Sequence, residues 1–386
     1  MLMMPKPGPN VLAPEMALSH FLNFSRALAA LLVLLFHIRS ALVVPYDSLA
    51  VHNWLARAVF VVTAFGHDAV IIFFVLSGYL VGGAVLKMDV RSRQDLWEYW
   101  IDRSVRIGPV LIAATVFSVV LQHLGPLFGC NDTYVAILGN ALGLQNFLVK
   151  PLCNDLPLWS ISNEVVYYFC FPVMIAVFSR IWSVWLAIAL TGVTLICVLS
   201  LNLAPLDDTN IVLDFPFWLI GAALWLVPGN FLRWRWPALL MVAGALLFGR
   251  LDFGKDHAWF RDLFLAAAFA FLLMTFVNQS MPQSGAGATV AGHVARSSRW
   301  FAELSFSLYV IHYPLIRLYM YFALNSPRHE ARYSAITLRN LLEFMALGAF
   351  CMLIAFGFSA LFERPRRLFK EQIVRKLQIA GISPID

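Results

Sequence analysis

FLNFSRALAALLVLLFHIRSALVV, residues Phe21 to Val44, is the stretch that decides how this chain is read. It is apolar over more than the ~20 residues that a helix needs to cross a bilayer. Inside it stand Arg26 and His37. Eleven residues at about 100° each make roughly three full turns, so both side chains leave the helix on one side, about 16 Å apart along its axis. An ionisable group within a span is costly, faces the protein interior and marks a functional site by default. Two on one stripe strengthen that reading. Its plainer alternative has Arg26 snorkelling to the headgroups and His37 packing as a hydrogen-bonded core residue.

The rest of the chain agrees with a membrane setting. Of its 386 residues 60% are hydrophobic and 13% charged, and the mean hydropathy is +0.75. Those values exclude a soluble domain and point to an all-α integral membrane protein. Apolar stretches lie at about 21–44, 69–86, 107–124, 133–149, 159–180, 182–201, 211–227, 236–250, 259–277, 301–323 and 336–362. The 133–149 stretch is short and interrupted by Gly139, Asn140, Gly143, Gln145 and Asn146. It reads as a re-entrant or interfacial segment, tolerable where protein covers its backbone. The remainder predict a bundle of about ten transmembrane helices.

Charge sets the expected sidedness. With 133–149 not crossing, Lys6, Lys87, Arg91, Arg93, Arg103, Arg106, Arg180, Arg233, Arg235, Arg296, Arg299 and the tail from Arg364 to Lys376 fall on one side. The positive-inside rule makes that side the cytosol. Both termini are then cytosolic, with an N-terminal segment 1–19 and a basic tail 363–386 flanking one transmembrane domain within 1–386. No removable signal peptide is read before Ser19. The net charge of +6 follows from the same loop bias, and no basic-aromatic run argues for nucleic acid. The five cysteines lack metal-ligand spacing, so no metal site is expected. Cys130 and Cys153 flank the 133–149 segment in an external loop, where an oxidising compartment permits a disulfide and coincidence is the alternative. Residues 278–298 read as a Gly/Ser/Ala-rich cytosolic linker. No internal repeat of the transporter kind is visible.

Four further motifs carry polar groups into these spans. In GHDAVIIFFVLSGYLVGG, residues 66–83, Ser77, Gly78 and Tyr79 sit at mid-membrane, where a glycine equally serves close helix packing. In WIDRSVRIGPV, residues 100–110, Arg103 and Arg106 are neighbours on one helical face. Paired arginines suit phosphate recognition and also plain cytosolic anchoring. In LPLWSISNEVVYYFCFP, residues 156–172, Glu164 lies inside a span beside Trp159, Ser162 and Asn163. Such a carboxylate needs a cation or a proton. Counting depth from the external ends puts it within reach of His37, with a structural ion pair to another cation as the alternative. ELSFSLYVIHYPLIRLYMYF, residues 303–322, carries His312 at mid-span. Asn23, one turn before Arg26, is placed to hydrogen-bond the guanidinium.

In this order the five stretches resemble the membrane acyltransferase 3 family, which includes bacterial enzymes that O-acylate surface polysaccharides, lipid-linked sugars and related glycans. The resemblance covers about residues 20 to 370. Arg26-x10-His37 looks like the family's first-helix signature, FFVLSGYL like its second, and DRSVRIGPV like its basic third-helix start. LWSISNEVVYY resembles the W-S-L-S-x-E pattern and SFSLYVIHYP the S-Y-S-L-Y-x-x-H-x-P pattern. Asn23 stands where an aspartate is usual, and Val165 where a second carboxylate commonly follows Glu164.

The resemblance implies acyl-CoA, acetyl-CoA foremost, as donor substrate, with no permanently bound cofactor. It implies a hydroxyl of an extracytoplasmic or lipid-linked glycan as acceptor, the lipid bilayer as surroundings and the bacterial inner membrane as location. On these residues, Arg26, Arg103 and Arg106 would hold the donor's phosphates by charge-assisted bonds. His37 would act as general base with Glu164 steadying the imidazolium. Asn23, Ser77, Tyr79, Trp159, Asn163 and His312 would line the cavity. The rival from another class is a non-enzymatic glycan exporter or flippase using the same polar interior as a pathway. A purely structural subunit leaves the buried charges unexplained.

Overall fold

A computed structural model describes residues 12–123, 132–181, 211–228, 231–251, 257–277, 286–324 and 333–379. The described residues are helical, with two isolated β-bridges, Val43 with Tyr333 and Gln145 with Val149. Helix α1 runs over Leu12–Leu42 and α2 over Trp54–Val62, the latter capped by Asn53, whose side chain accepts from the Ala56 amide. Helix α3, Gly66–Ser77, passes through a π-helical turn, Gly78–Gly82, into α4, Gly83–Lys87. Next come α5 (Arg93–His123), α6 (Tyr134–Ala141) and α7 (Trp159–Ile181), which a 3-10 turn, Leu156–Leu158, leads into. Helices α8 (Ile211–Ala223), α9 (Arg235–Phe248) and α10 (Ala258–Met274) precede the 39-residue α11, Ala286–Leu324. The chain closes with α12 (Leu338–Phe358), a second π-helical turn (Ser359–Glu363) and α13 (Arg366–Ile379).

Among the described residues five segments are long and apolar enough to cross a membrane: Ala17–Leu42, Trp54–Lys87, Arg93–His123, Leu156–Ala176 and Leu338–Lys376. The protein is therefore read as multi-pass. Of the other stretches expected to span, 211–227 is the shorter apolar helix Ile211–Leu226. Those at 236–250 and 259–277 form helices of 14 and 17 residues, and 182–201 lies outside the described residues. Helix α6 has only eight residues, too few to cross, and the chain turns back after it through Gly143 and Asn146, both with positive φ. Its exposed side chains are apolar (Tyr134, Val135, Leu138), while Asn140 and Gln145 are buried. Asn140 there donates to the Ala136 and Lys150 carbonyls and Gln145 to the Leu158 carbonyl. The expected linker differs from the structure. Residues 278–285 lie outside the described residues, and from Ala286 onward the segment is already helix α11.

One apolar core runs through α1, α3, α8, α10 and α11. Helix α1 packs along α11 and against α3, and α8 crosses the π-helical turn after α3. That crossing depends on missing side chains. A Cβ at Gly78 would stand 1.8 Å from the Trp218 carbonyl oxygen, and one at Gly221 would stand 2.0 Å from that of Val75. Gly78 therefore does the packing work in its motif. The contacts also fix directions: Arg26 meets Ser305 and His37 meets His312, so α1 and α11 run parallel. Helix α7 runs the other way, its start at the His37 level and Glu164 at the Arg26 level.

Candidate active site

Two separate cavities lie along the α1–α11 seam. The first, about 80 Å³, is lined by the polar side chains of Arg26, Ser77, Arg106, Ser160, Glu164, Tyr168, Ser305 and Tyr309, set in an apolar wall that includes Phe73 and Phe74. It has room for several waters or a small acyl group. The second, about 280 Å³, is lined by His37, Ser40, Ala41, Leu156, Pro157, Trp159 and Tyr313.

The first cavity is a charged network with assignable proton directions. Tyr168 Oη donates to Glu164 Oε2 at 2.8 Å, which uses its only proton. Ser77 Oγ, 2.8 Å from the same phenol, must then be the donor to it, while Trp218 Nε1 donates to Ser77 Oγ at 3.1 Å. The donors thus run Trp218, Ser77, Tyr168 and end on the carboxylate. The Tyr168 carbonyl accepts from Tyr99 Oη at 3.1 Å, which ties α7 to α5. Arg26 Nη2 donates to Ser305 Oγ at 3.4 Å and lies within electrostatic reach of Arg106, Glu363, Tyr168 and Glu164. The lining itself carries two guanidiniums against one carboxylate, an excess that suits an anion, while Glu363, outside the lining, is a second carboxylate within reach of Arg26.

The second cavity is lined by the Trp159 and Tyr313 rings and the His37 imidazole, while His312, expected in the cavity, is not part of its lining. The His37 ring lies 5.1 Å from that of His312 and 5.4 Å from that of Tyr313. His312 is buried, and its Nδ1 lies 2.7 Å from the Tyr309 carbonyl oxygen and 3.2 Å from that of Leu308. Carbonyls only accept, so Nδ1 carries the proton and Nε2 is the bare nitrogen. That Nε2 is buried and has no hydrogen-bond partner among the described residues.

The structure does not bring every expected residue to these cavities. Arg26, Arg106, Ser77 and Glu164 share the first, and His37 and Trp159 the second. Glu164 does not meet His37; it bonds Tyr168 and faces Arg26 and Arg106 instead. Five residues separate Trp159, at the His37 level, from Glu164, which is about 7 Å of helix toward the arginines. Arg103 lies beside the first cavity, its guanidinium over the Tyr99 ring at 5.8 Å. Asn23 makes no bond to Arg26, which turns to Ser305. Tyr79 points the other way, stacked on Trp225 with ring centroids 5.0 Å apart. Asn163 is buried against α8, donating to Asp214 Oδ2 at 2.8 Å. Cys153 is disulfide-bonded, and Cys130 lies outside the described residues.

Sequence reasoning missed Tyr168, Tyr309 and Asp155. Tyr168 is four residues from Glu164, a helical-face spacing that could have flagged it. Asp155 is fully buried before the turn into α7; Ser118 Oγ donates to its Oδ2 at 3.3 Å, and Oδ1 has no partner. Burial pushes this carboxyl well above the ordinary aspartate range, against the smaller opposing pull of the Ser118 hydrogen bond.

Residues 19–361 match the family described as an acyltransferase domain, and the chain belongs to this acyltransferase 3 family. It is 26% identical over 283 residues to the acyltransferase MdmB of Streptomyces mycarofaciens, covering 66% of this chain and 70% of the relative. It is also 27% identical over 178 residues to an uncharacterized protein of Haemophilus influenzae, covering 40% of this chain and 72% of that protein. No solved structure matches. The protein is an acyltransferase.

Proposed function

We propose that this acyltransferase moves an acyl group from acyl-CoA, acetyl-CoA first among donors, to a hydroxyl of an extracytoplasmic or lipid-linked glycan. The observation that carries this reading is the stacking of a positive cavity and an imidazole pocket along one helix seam. Donor phosphates would meet Arg106 and Arg26, with Arg103 at the edge, through charge-assisted bonds. Glu164 would hold the arginines in place: its charge faces both, and the donor chain from Trp218 through Ser77 and Tyr168 fixes its oxygen.

His37 takes the proton of the acceptor hydroxyl as that oxygen attacks the thioester carbonyl. The carbon–sulfur bond breaks, and the sulfur leaves as CoA thiol after receiving a proton. The His312 ring, its Nδ1–H held by backbone carbonyls, would pack against His37 and limit the orientations of that ring. Trp159 and Tyr313 offer flat apolar faces to a sugar ring. A bundle of about ten spans in the bacterial inner membrane, with both termini cytosolic, places the arginines inside and His37 toward the outside. The disulfide at Cys153, a few residues from the Leu156–Pro157 wall of the His37 pocket, supports an oxidising compartment at that end.

The test is acyl transfer from labelled acyl-CoA by purified protein in lipid vesicles, with glycan products read by mass spectrometry. Acylated glycan that depends on donor and protein supports the reading. Glycan crossing the vesicle membrane with no acyl product would favour the exporter instead.

A further inference from the structure

The two cavities are divided by a single layer. Along α7 the division falls between Trp159, in the His37 pocket, and Ser160, in the arginine cavity. Along α11 it falls within the one turn from Tyr309 to Tyr313. Tyr309 occupies that layer. It is buried, its ring lies 6.0 Å from Phe73 and 5.8 Å from His312, and it lines only the arginine side. Its hydroxyl donates to the Pro157 carbonyl at 3.0 Å and, its proton so used, accepts from Ser160 Oγ at 2.6 Å. Both ties reach α7 and its leading turn, so the phenol pins α11 to α7 across the seam. Pro157 itself lines the far pocket.

We infer that Tyr309, latched to Ser160 and the Pro157 carbonyl, is the partition between the donor cavity and the His37 pocket and sets the size of acyl group that reaches His37. This rests on the proposed transfer from acyl-CoA. A thioester entering past Arg26 and Arg106 reaches His37 acyl end first, and that end must pass the phenol ring. A cavity of about 80 Å³ closed by an aromatic plate favours short acyl groups. Each surplus methylene against a fixed apolar wall costs roughly a tenfold or larger factor in rate.

The experiment measures transfer rates for acyl-CoA donors of two, four, six and eight carbons with wild type, Tyr309→Ala, Tyr309→Leu and Tyr309→Phe in lipid vesicles. Wild type should favour the two-carbon donor. Tyr309→Ala should raise the eight-carbon rate relative to the two-carbon rate by about tenfold or more. Tyr309→Phe keeps the ring and should keep the preference, though the latch is lost. Tyr309→Leu keeps apolar bulk in the core and gives the same readout, with a smaller shift, should the alanine variant fold poorly. A short-chain preference in wild type that stays unchanged in Tyr309→Ala and Tyr309→Leu overturns the inference and leaves the transfer reading intact. No transfer by wild type from any donor overturns both.

Discussion

The arginine cavity and the histidine pocket share a wall, yet they are built on opposite principles. In the first, a hydroxyl chain satisfies the carboxylate of Glu164, and Arg26 is tethered to Ser305. A site whose polar groups are held this way is fixed in shape and charge, which serves binding. Beside the second, the buried Nε2 of His312 has no hydrogen-bond partner among the described residues, and its ring lies 5.1 Å from that of His37. An unsatisfied buried polar atom costs about 1–3 kcal/mol, and that cost is tolerated where the group works. On the proposed reading, the contrast would separate holding the donor from performing the chemistry.

The largest effect that could break this division is on His37. His37→Gln keeps polarity and hydrogen bonding but offers no base near neutral pH. Transfer should fall by at least the ~10²-fold that general-base catalysis supplies, with donor binding retained. Near-normal turnover in a well-inserted variant would move the chemistry elsewhere, with His312 next in line.

Arg26→Ala and Arg106→Ala should do the reverse. A charge-assisted contact is worth ~1.5–3 kcal/mol, so each loss should raise the apparent donor constant roughly ten- to a hundredfold while the maximal rate changes little. Steady-state titration with acyl-CoA reads this split. A drop in maximal rate at constant donor affinity would merge the two sites.

Glu164→Gln should have a smaller effect, on donor affinity more than on rate, because a neutral amide still accepts from Tyr168. Had Glu164 paired with His37, as depth counted along the sequence implied, the variant would lower the rate and change its pH profile. The pH dependence of transfer in the variant therefore sharpens the comparison.

The smallest effect concerns Asp155, next to the wall of the histidine pocket. Its carboxyl is raised in the folded state, so it binds its proton more tightly folded than unfolded. The resulting stability is present below the unfolded value and is lost as pH rises toward the folded one. Asp155→Asn removes that loss. At low pH the variant should match wild type to within the ~1 kcal/mol of one hydrogen bond, and its melting temperature should decline less as pH rises. Parallel decline would mean that the Asp155 carboxyl is not raised in the folded state.

Much of this was legible in the sequence, and the gaps have physical causes. The helical period put Arg26 and His37 on one stripe, and both do face the seam with α11. Hydropathy announced a helical membrane protein. Interruptions by Gly, Asn and Gln announced that 133–149 does not form a full span, and its helix is eight residues long. Depth counting failed for Glu164, because nothing in the sequence says which neighbouring helix a buried carboxylate will face. Motif membership failed for Tyr79 and Asn163 on the same ground: both sit one residue from a cavity residue, on the side turned to α8 or its following turn. Tyr309 gave no signal, since a tyrosine in an apolar run is ordinary until the Pro157 carbonyl and Ser160 are known to meet it.

On the proposed reading the donor lies on one side of Tyr309 and the reaction takes place on the other. The most direct measurement is an experimental structure of the protein in lipid with a non-hydrolysable acetyl-CoA analogue. Phosphate density is expected against Arg106 and Arg26, with the acyl end at the Tyr309 layer and pointing toward His37. An analogue whose phosphates lie away from both arginines, or whose acyl end points away from His37, would contradict it.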